Sequence, residues 1–163
     1  MTVIHTTRVS EAENWLRTHR RATIASIALY LGAASLVVSG VVHIHEYFAN
    51  DYRTVPDIGR LFVLNFVAAV VVAAGLIAPI GRLAGRYADA IRAVLAIAGI
   101  GVAVLSLASL FVSETIGLFN FTENGYRMVV VVAIVSEAAA TIFLIVYLVA
   151  SGARLRAMRK QWT

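Results

Sequence analysis

Four stretches of about twenty residues carry almost no charge: 22–42, 61–80, 93–112 and 128–150. Each is long enough for an α-helix to cross the roughly 30 Å of a bilayer core. A backbone in lipid must satisfy its own N–H and C=O groups, so such segments are helices unless they close a barrel. The ten-residue alternation of a membrane barrel is missing from the sequence. The pattern therefore predicts an all-α integral membrane protein. Its spans are expected over about 22–43, 61–80, 93–112 and 128–150, joined by short connections into an antiparallel four-helix bundle.

Composition agrees with lipid as the solvent. Of 163 residues, 60% are hydrophobic and only 14% charged, against about 25% charged in soluble domains. Cysteine is absent, which removes disulfides, thiolate metal sites, iron–sulfur clusters and cysteine nucleophiles together. Thirteen arginines against one lysine suggest a GC-rich bacterial genome.

The distribution of the +5 net charge sets a direction. The leading segment holds Arg8, Arg17, Arg20 and Arg21, the middle connection Arg82, Arg86 and Arg92, and the tail Arg154, Arg156, Arg159 and Lys160. The alternate connections hold only Arg53, Arg60 and Arg127. The positive-inside rule then puts both termini and the 81–92 connection in the cytoplasm, in a plasma (inner) membrane. The basic tail 151–163 reads as a topology anchor with acidic-lipid contact, and no nucleic-acid partner is expected.

The N-terminal segment, 1–21, carries a smaller signal. Ser10-Glu11-Ala12-Glu13 fits a capping box, with Arg20 and Arg21 at the far end. A short amphipathic helix over 11–21, resting Trp15 and Leu16 on the membrane surface, is expected. No cleavable leader is expected.

Each span also has a face of small residues, which lets helices approach closely. These are Ala28, Gly32, Ser35 and Ser39 in the first, Asn65, Ala68, Ala69 and Ala73 in the second, Gly99, Ala103 and Ser106 in the third, and Ala133, Ala140 and Thr141 beside Glu137 in the fourth.

Glu137 is the one ionisable residue well inside a span, and intramembrane acids are candidates for function. Counting depth from the ends of the apolar runs makes Ser35, Ala69 and Ala103 its level neighbours. A neutral glutamate there would donate a hydrogen bond to a carbonyl or pair with Ser35 or Ser106. It would otherwise handle protons or cations, or contact a quinone, lipid or partner helix. Asn65 reads as an interhelical hydrogen bond, and Arg60 as a residue snorkelling to the surface beside Glu46 or Asp57.

His43, His45 and Glu46 end the first run. Imidazoles with a carboxylate suit a transition metal, and a haem would need facing histidines from a second chain. On a continuing helix His43 and His45 diverge by about 200°, while His43 and Glu46 share a face. Further ligands would have to come from Asp51, Glu114 or Glu123, because helix arithmetic sets Glu137 about 13 Å from His43. The simplest alternative makes both histidines interfacial capping residues. Phosphate-binding, metalloprotease and nucleophile-elbow motifs are absent from the sequence.

Three function classes follow. The first is a non-enzymatic accessory, scaffold or interaction subunit of a membrane complex or homo-oligomer. The second is a small proton- or cation-coupled transporter using Glu137, and the third an outward-facing metal or redox-cofactor protein using His43, His45 and Glu46.

Overall fold

The computed structural model describes residues 3–115 and 127–160. Among them 95% are helical and none lies in a strand. Four segments are long and apolar enough to cross a membrane, over Asn14–Ala49, Asp57–Ile77, Ile80–Thr115 and Met128–Gly152. The chain is thus an all-α protein with the character of a multi-pass membrane protein.

Helix α1 runs unbroken from Val3 to Ala49. The expected 11–21 segment is helical, but it is the beginning of α1 and not a separate piece. Nothing between Asn14 and Leu31 breaks a helix: there is no glycine or proline, so the backbone ladder continues from the polar lead into the apolar run. Ser10 lies inside α1 and does not cap it. Trp15 and Leu16 are both exposed, and the Trp15 ring lies 4.0 Å from His19.

At its other end α1 passes the apolar run and includes His43, His45 and Glu46. A tight connection follows, with Asp51 left-handed at φ 56° and a 3-10 turn over Tyr52–Thr54. Val55 is extended, as the residue before a proline tends to be. Pro56 then opens α2, Pro56–Ile77, at the first helical position, where its missing N–H costs nothing. Ala78, again before a proline, ends it.

The short α3, Ile80–Ala84, leads through Gly85 at φ +48° and a 3-10 turn, Gly85–Tyr87, into α4, Ala88–Thr115. Helix α5 spans Met128–Lys160. The helices are longer than the apolar runs at most ends, because hydropathy marks the lipid-like middle while the hydrogen-bond ladder continues into charged flanks such as Asp57 and Arg60. The basic residues Arg154, Arg156, Arg159 and Lys160 lie on the last turns of α5. Glu123, with Phe119, Phe121 and Tyr126, falls outside the described residues.

Helix α1 packs mainly on α5 and α2, and α4 mainly on α5 and α2, while α1 and α4 scarcely meet. The small faces turn inward, with Ala28, Ala69, Ala73, Ala96, Ala103 and Ala140 at 3% exposure or less. The layer that joins all four long helices is set by Gly99. A Cβ there would lie 2.8 Å from Leu144 Cδ1, 2.9 Å from Leu36 Cδ1 and 3.3 Å from Val72 Cγ1. Leu36, Leu76 and Leu144 are completely buried. Large apolar side chains such as Leu64, Val71, Val94, Leu105, Val135 and Val149 point outward, the distribution a lipid environment favours.

Candidate functional site

Seven residues, or two helical turns, from this leucine layer stand His43 on α1, Asn65 on α2, Ser106 on α4 and Glu137 on α5. The offset from Leu36, Val72, Gly99 and Leu144 is the same on every helix, which is a rise of about 10 Å. Four side chains that can hydrogen-bond are thereby brought to one level.

Three of them form a connected cluster with Ser39. The Ser39 hydroxyl donates to Glu137 Oε1 at 3.0 Å, and both residues are 1% exposed. His43 Nδ1 lies 2.9 Å from the Ser39 carbonyl. A carbonyl only accepts, so Nδ1 carries the proton and Nε2 of the neutral ring is an acceptor. The Ser106 hydroxyl meets Nε2 at 3.1 Å and is also a hydrogen-bond partner of the Glu137 carboxyl. Glu137 Oε1 lies 3.8 Å from the same nitrogen, too far for a hydrogen bond. Phe62 closes the side of the imidazole edge-on, at 5.1 Å between ring centroids.

The depth argument that separated Glu137 from His43 is overturned. Glu137 lies nine residues into α5, and counting nine back from Ala49, where α1 ends, reaches Gly40 beside Ser39. The apolar run stops earlier than the helix does, so the level was set too deep along α1. Ser35, the expected neighbour, is half-buried one turn away and outside the cluster, whereas Ser106 takes part as expected.

A second group sits between this cluster and the α1–α2 connection. Glu46, 5% exposed, accepts from Arg127 at 2.8 Å and from the Asn50 amide at 2.6 Å. Arg127 also donates to the Tyr52 hydroxyl at 3.1 Å. Arg60 is not the partner of Glu46: it lies 3.8 Å from Asp57, with both side chains exposed. His45 is exposed, while His43 and Glu46 face inward on the shared side of α1. Among the described residues no group of three or more His, Asp or Glu side chains gathers as a metal would need.

Alongside both groups, on their side of the leucine layer, runs a cavity of about 410 Å³. Leu61, Leu64, Val102, Leu105 and Leu110 contribute much of its apolar wall, and His43, Glu46, Asn65, Ser106, Ser109, Arg127 and Glu137 its polar places. Leu64 and Leu105 are 62% and 69% exposed yet also line it. The cavity thus reaches the outer surface between α2 and α4. Those two helices close on each other further along, where a Cβ on Gly75 would come within 3.0 Å of Leu95.

Asn65 does not make the interhelical bond expected of it. Its Oδ1 is buried and has no hydrogen-bond partner. Leaving a buried carbonyl unmatched costs about 1–3 kcal/mol, so the amide stands out on an otherwise satisfied wall. The sequence signal for this site was present, in four polar residues seven positions from large or close-packing ones. Without the register between helices it could not be assembled.

Comparison with family models, with curated proteins and with solved structures finds no match for the chain.

Proposed function

We propose that the chain is a non-enzymatic protein of a plasma membrane that holds a small lipid-soluble molecule between its helices. Four antiparallel spans would place both termini and the 78–88 turn in the cytoplasm and the cavity in the outer half of the bilayer. The charge asymmetry of the connections supports that orientation. The seven-residue offset, which runs alternately up and down the chain from helix to helix, supports the antiparallel order.

The cavity carries the reading. Its volume of about 410 Å³ falls within the roughly 300–1,000 Å³ of small-molecule sites, which are likewise apolar with a few placed polar groups. An accessory or scaffold role drew its support from small-residue faces free to dock a partner. Gly32 and Gly99 instead spend those faces inside the molecule, both against Leu144. Holding a molecule therefore ranks above scaffolding.

Coupled transport is a second reading, favoured by the continuity of Ser39, His43, Ser106 and Glu137. It would require the layer of Leu36, Leu76 and Leu144 to part, since that layer seals the opposite half.

The test is to purify the protein from its own membranes in nanodiscs, extract bound small molecules and identify them by mass spectrometry. Ala68, half-buried on the cavity wall, is the position to fill. Wild type should carry a defined lipid-soluble species that Ala68→Trp lacks, with circular dichroism confirming that the variant is folded. Identical extracts from the two would refute the proposal. Extra polypeptides in fixed ratio, with no small molecule, would restore the accessory-subunit reading.

A further inference from the structure

We infer that the molecule held in this cavity presents a hydroxyl group to Asn65. This rests on the ligand-holding role proposed above and names the chemistry that role would select.

The polar side chains around Asn65 on this wall have few protons left to offer. The Ser39 hydroxyl is spent on Glu137 Oε1, and the His43 Nδ1 proton on the Ser39 carbonyl. The Ser106 hydroxyl is spent within the cluster, between His43 Nε2 at 3.1 Å and the Glu137 carboxyl, and the Ser109 hydroxyl on the Leu105 carbonyl at 2.8 Å. Arg127 donates to Glu46 and Tyr52. Ser39, His43, Ser106 and Ser109 have thus given their donors to one another or to the backbone. What they leave facing the cavity is oxygen lone pairs, on Ser106 and Ser109.

Asn65 adds the decisive group. Its Oδ1 is a buried acceptor with no partner, on a wall already rich in acceptors. A ligand atom that only accepts, such as an ether or ester oxygen, leaves Oδ1 unmatched. A free carboxylate would bring negative charge beside the Glu46 and Glu137 carboxyls, with Arg127 already engaged. A hydroxyl donates to Oδ1, and its own oxygen accepts from the Asn65 amide nitrogen, so one group satisfies both ends of the side chain. The rest of the ligand is apolar, to match Leu61, Leu64, Val102, Leu105 and Leu110. Phenols, quinols and long-chain alcohols belong to this class.

A matched pair of probes isolates the proton. Nonylphenol and its methyl ether share the ring and chain, and differ in whether the oxygen donates. Binding is measured by titration calorimetry in nanodiscs at equal mole fraction in the lipid. Wild type should bind the phenol about tenfold or more tightly than the ether, the loss expected when a buried acceptor is left unpaired. Asn65→Leu should remove that preference while leaving the affinity for the ether unchanged, and Asn65→Ala should do the same if the leucine variant fails to fold. Equal affinities in wild type would overturn the hydroxyl assignment and leave the cavity as a binding site. Binding of neither probe would overturn it together with the ligand-holding role. Dodecylammonium that binds Asn65→Leu as well as wild type but fails to bind Glu137→Gln would also overturn it, by moving the anchor to Glu137.

Discussion

Gly99→Ala offers the most direct check on how the helices are joined. The added Cβ would stand 2.8 Å from Leu144 Cδ1 and 2.9 Å from Leu36 Cδ1, against about 3.5–4.0 Å for carbon atoms at their optimum. Leu144 is completely buried and cannot swing away, because Gly32 holds its other side: a Cβ on Gly32 would be 2.7 Å from Cδ2 and 2.8 Å from Cγ. Forcing one extra carbon into a full core costs about 1–3 kcal/mol, and alanine returns about 0.5–1 kcal/mol of helix preference over glycine. The net loss should be about 0.5–2 kcal/mol. Gly101→Ala is the control, since a Cβ there meets nothing within 4 Å and only the helix preference remains.

The assay is reversible unfolding in mixed micelles of a mild detergent and SDS, followed by circular dichroism. Gly99→Ala should cost at least about 1 kcal/mol less in a Leu144→Ala background than in wild type, the sign of two residues that compete for one space. Gly32→Ala combined with Gly99→Ala should lose more than the sum of the single losses. If Gly99→Ala unfolds like Gly101→Ala, or adds independently to Leu144→Ala, the leucine layer is not where the helices meet.

Three further outcomes follow from the polar groups and the cavity mouth. Glu137→Gln should unfold like wild type, because the amide oxygen still accepts from Ser39, whereas Glu137→Leu strands that hydroxyl and should cost about 1–3 kcal/mol in the same assay. Arg127→Met should destabilise more than Glu46→Gln, because it leaves a carboxylate that is 7% exposed without its cation; equal losses would contradict the pairing. Leu64→Trp and Leu105→Trp narrow the opening between α2 and α4, so stopped-flow uptake of nonylphenol should slow several-fold in each, and unchanged rates would place the route elsewhere.

Much of the architecture was legible because it follows from two simple demands. Lipid requires about twenty apolar residues and a satisfied backbone, and both can be read from a single chain. The prolines were a local signal that the expected span, 61–80, did not use: Pro56 opens α2 and Pro79 follows its end, and both punctuate the chain through local sterics. Helix ends at charged flanks were less legible. Nothing in hydropathy reports that the ladder of α1 continues through His43 and Glu46 to Ala49, and that difference of six residues moved Glu137 away from its true neighbours. The pairing of Glu46 with Arg127 across 81 positions was beyond reach for the same reason, since it depends on where α5 begins relative to where α1 stops.

The small residues were visible from the start, but their two opposite effects were not. Gly99 and Gly32 face Leu144, a side chain large enough to fill the room they leave, and the helices there are in contact. One to three turns away Ala68, Ser106, Ser109 and Ala133 are equally small, yet they line a common space that their larger neighbours leave open. The first arrangement is packing and the second a cavity. A stripe of small residues fixes only how little each helix contributes, and the outcome depends on what the opposite helix brings to the same level. In this chain leucines meet glycines in one half and small residues share a void in the other. The polar side chains His43, Asn65, Ser106 and Glu137 all fall in the half that was left open.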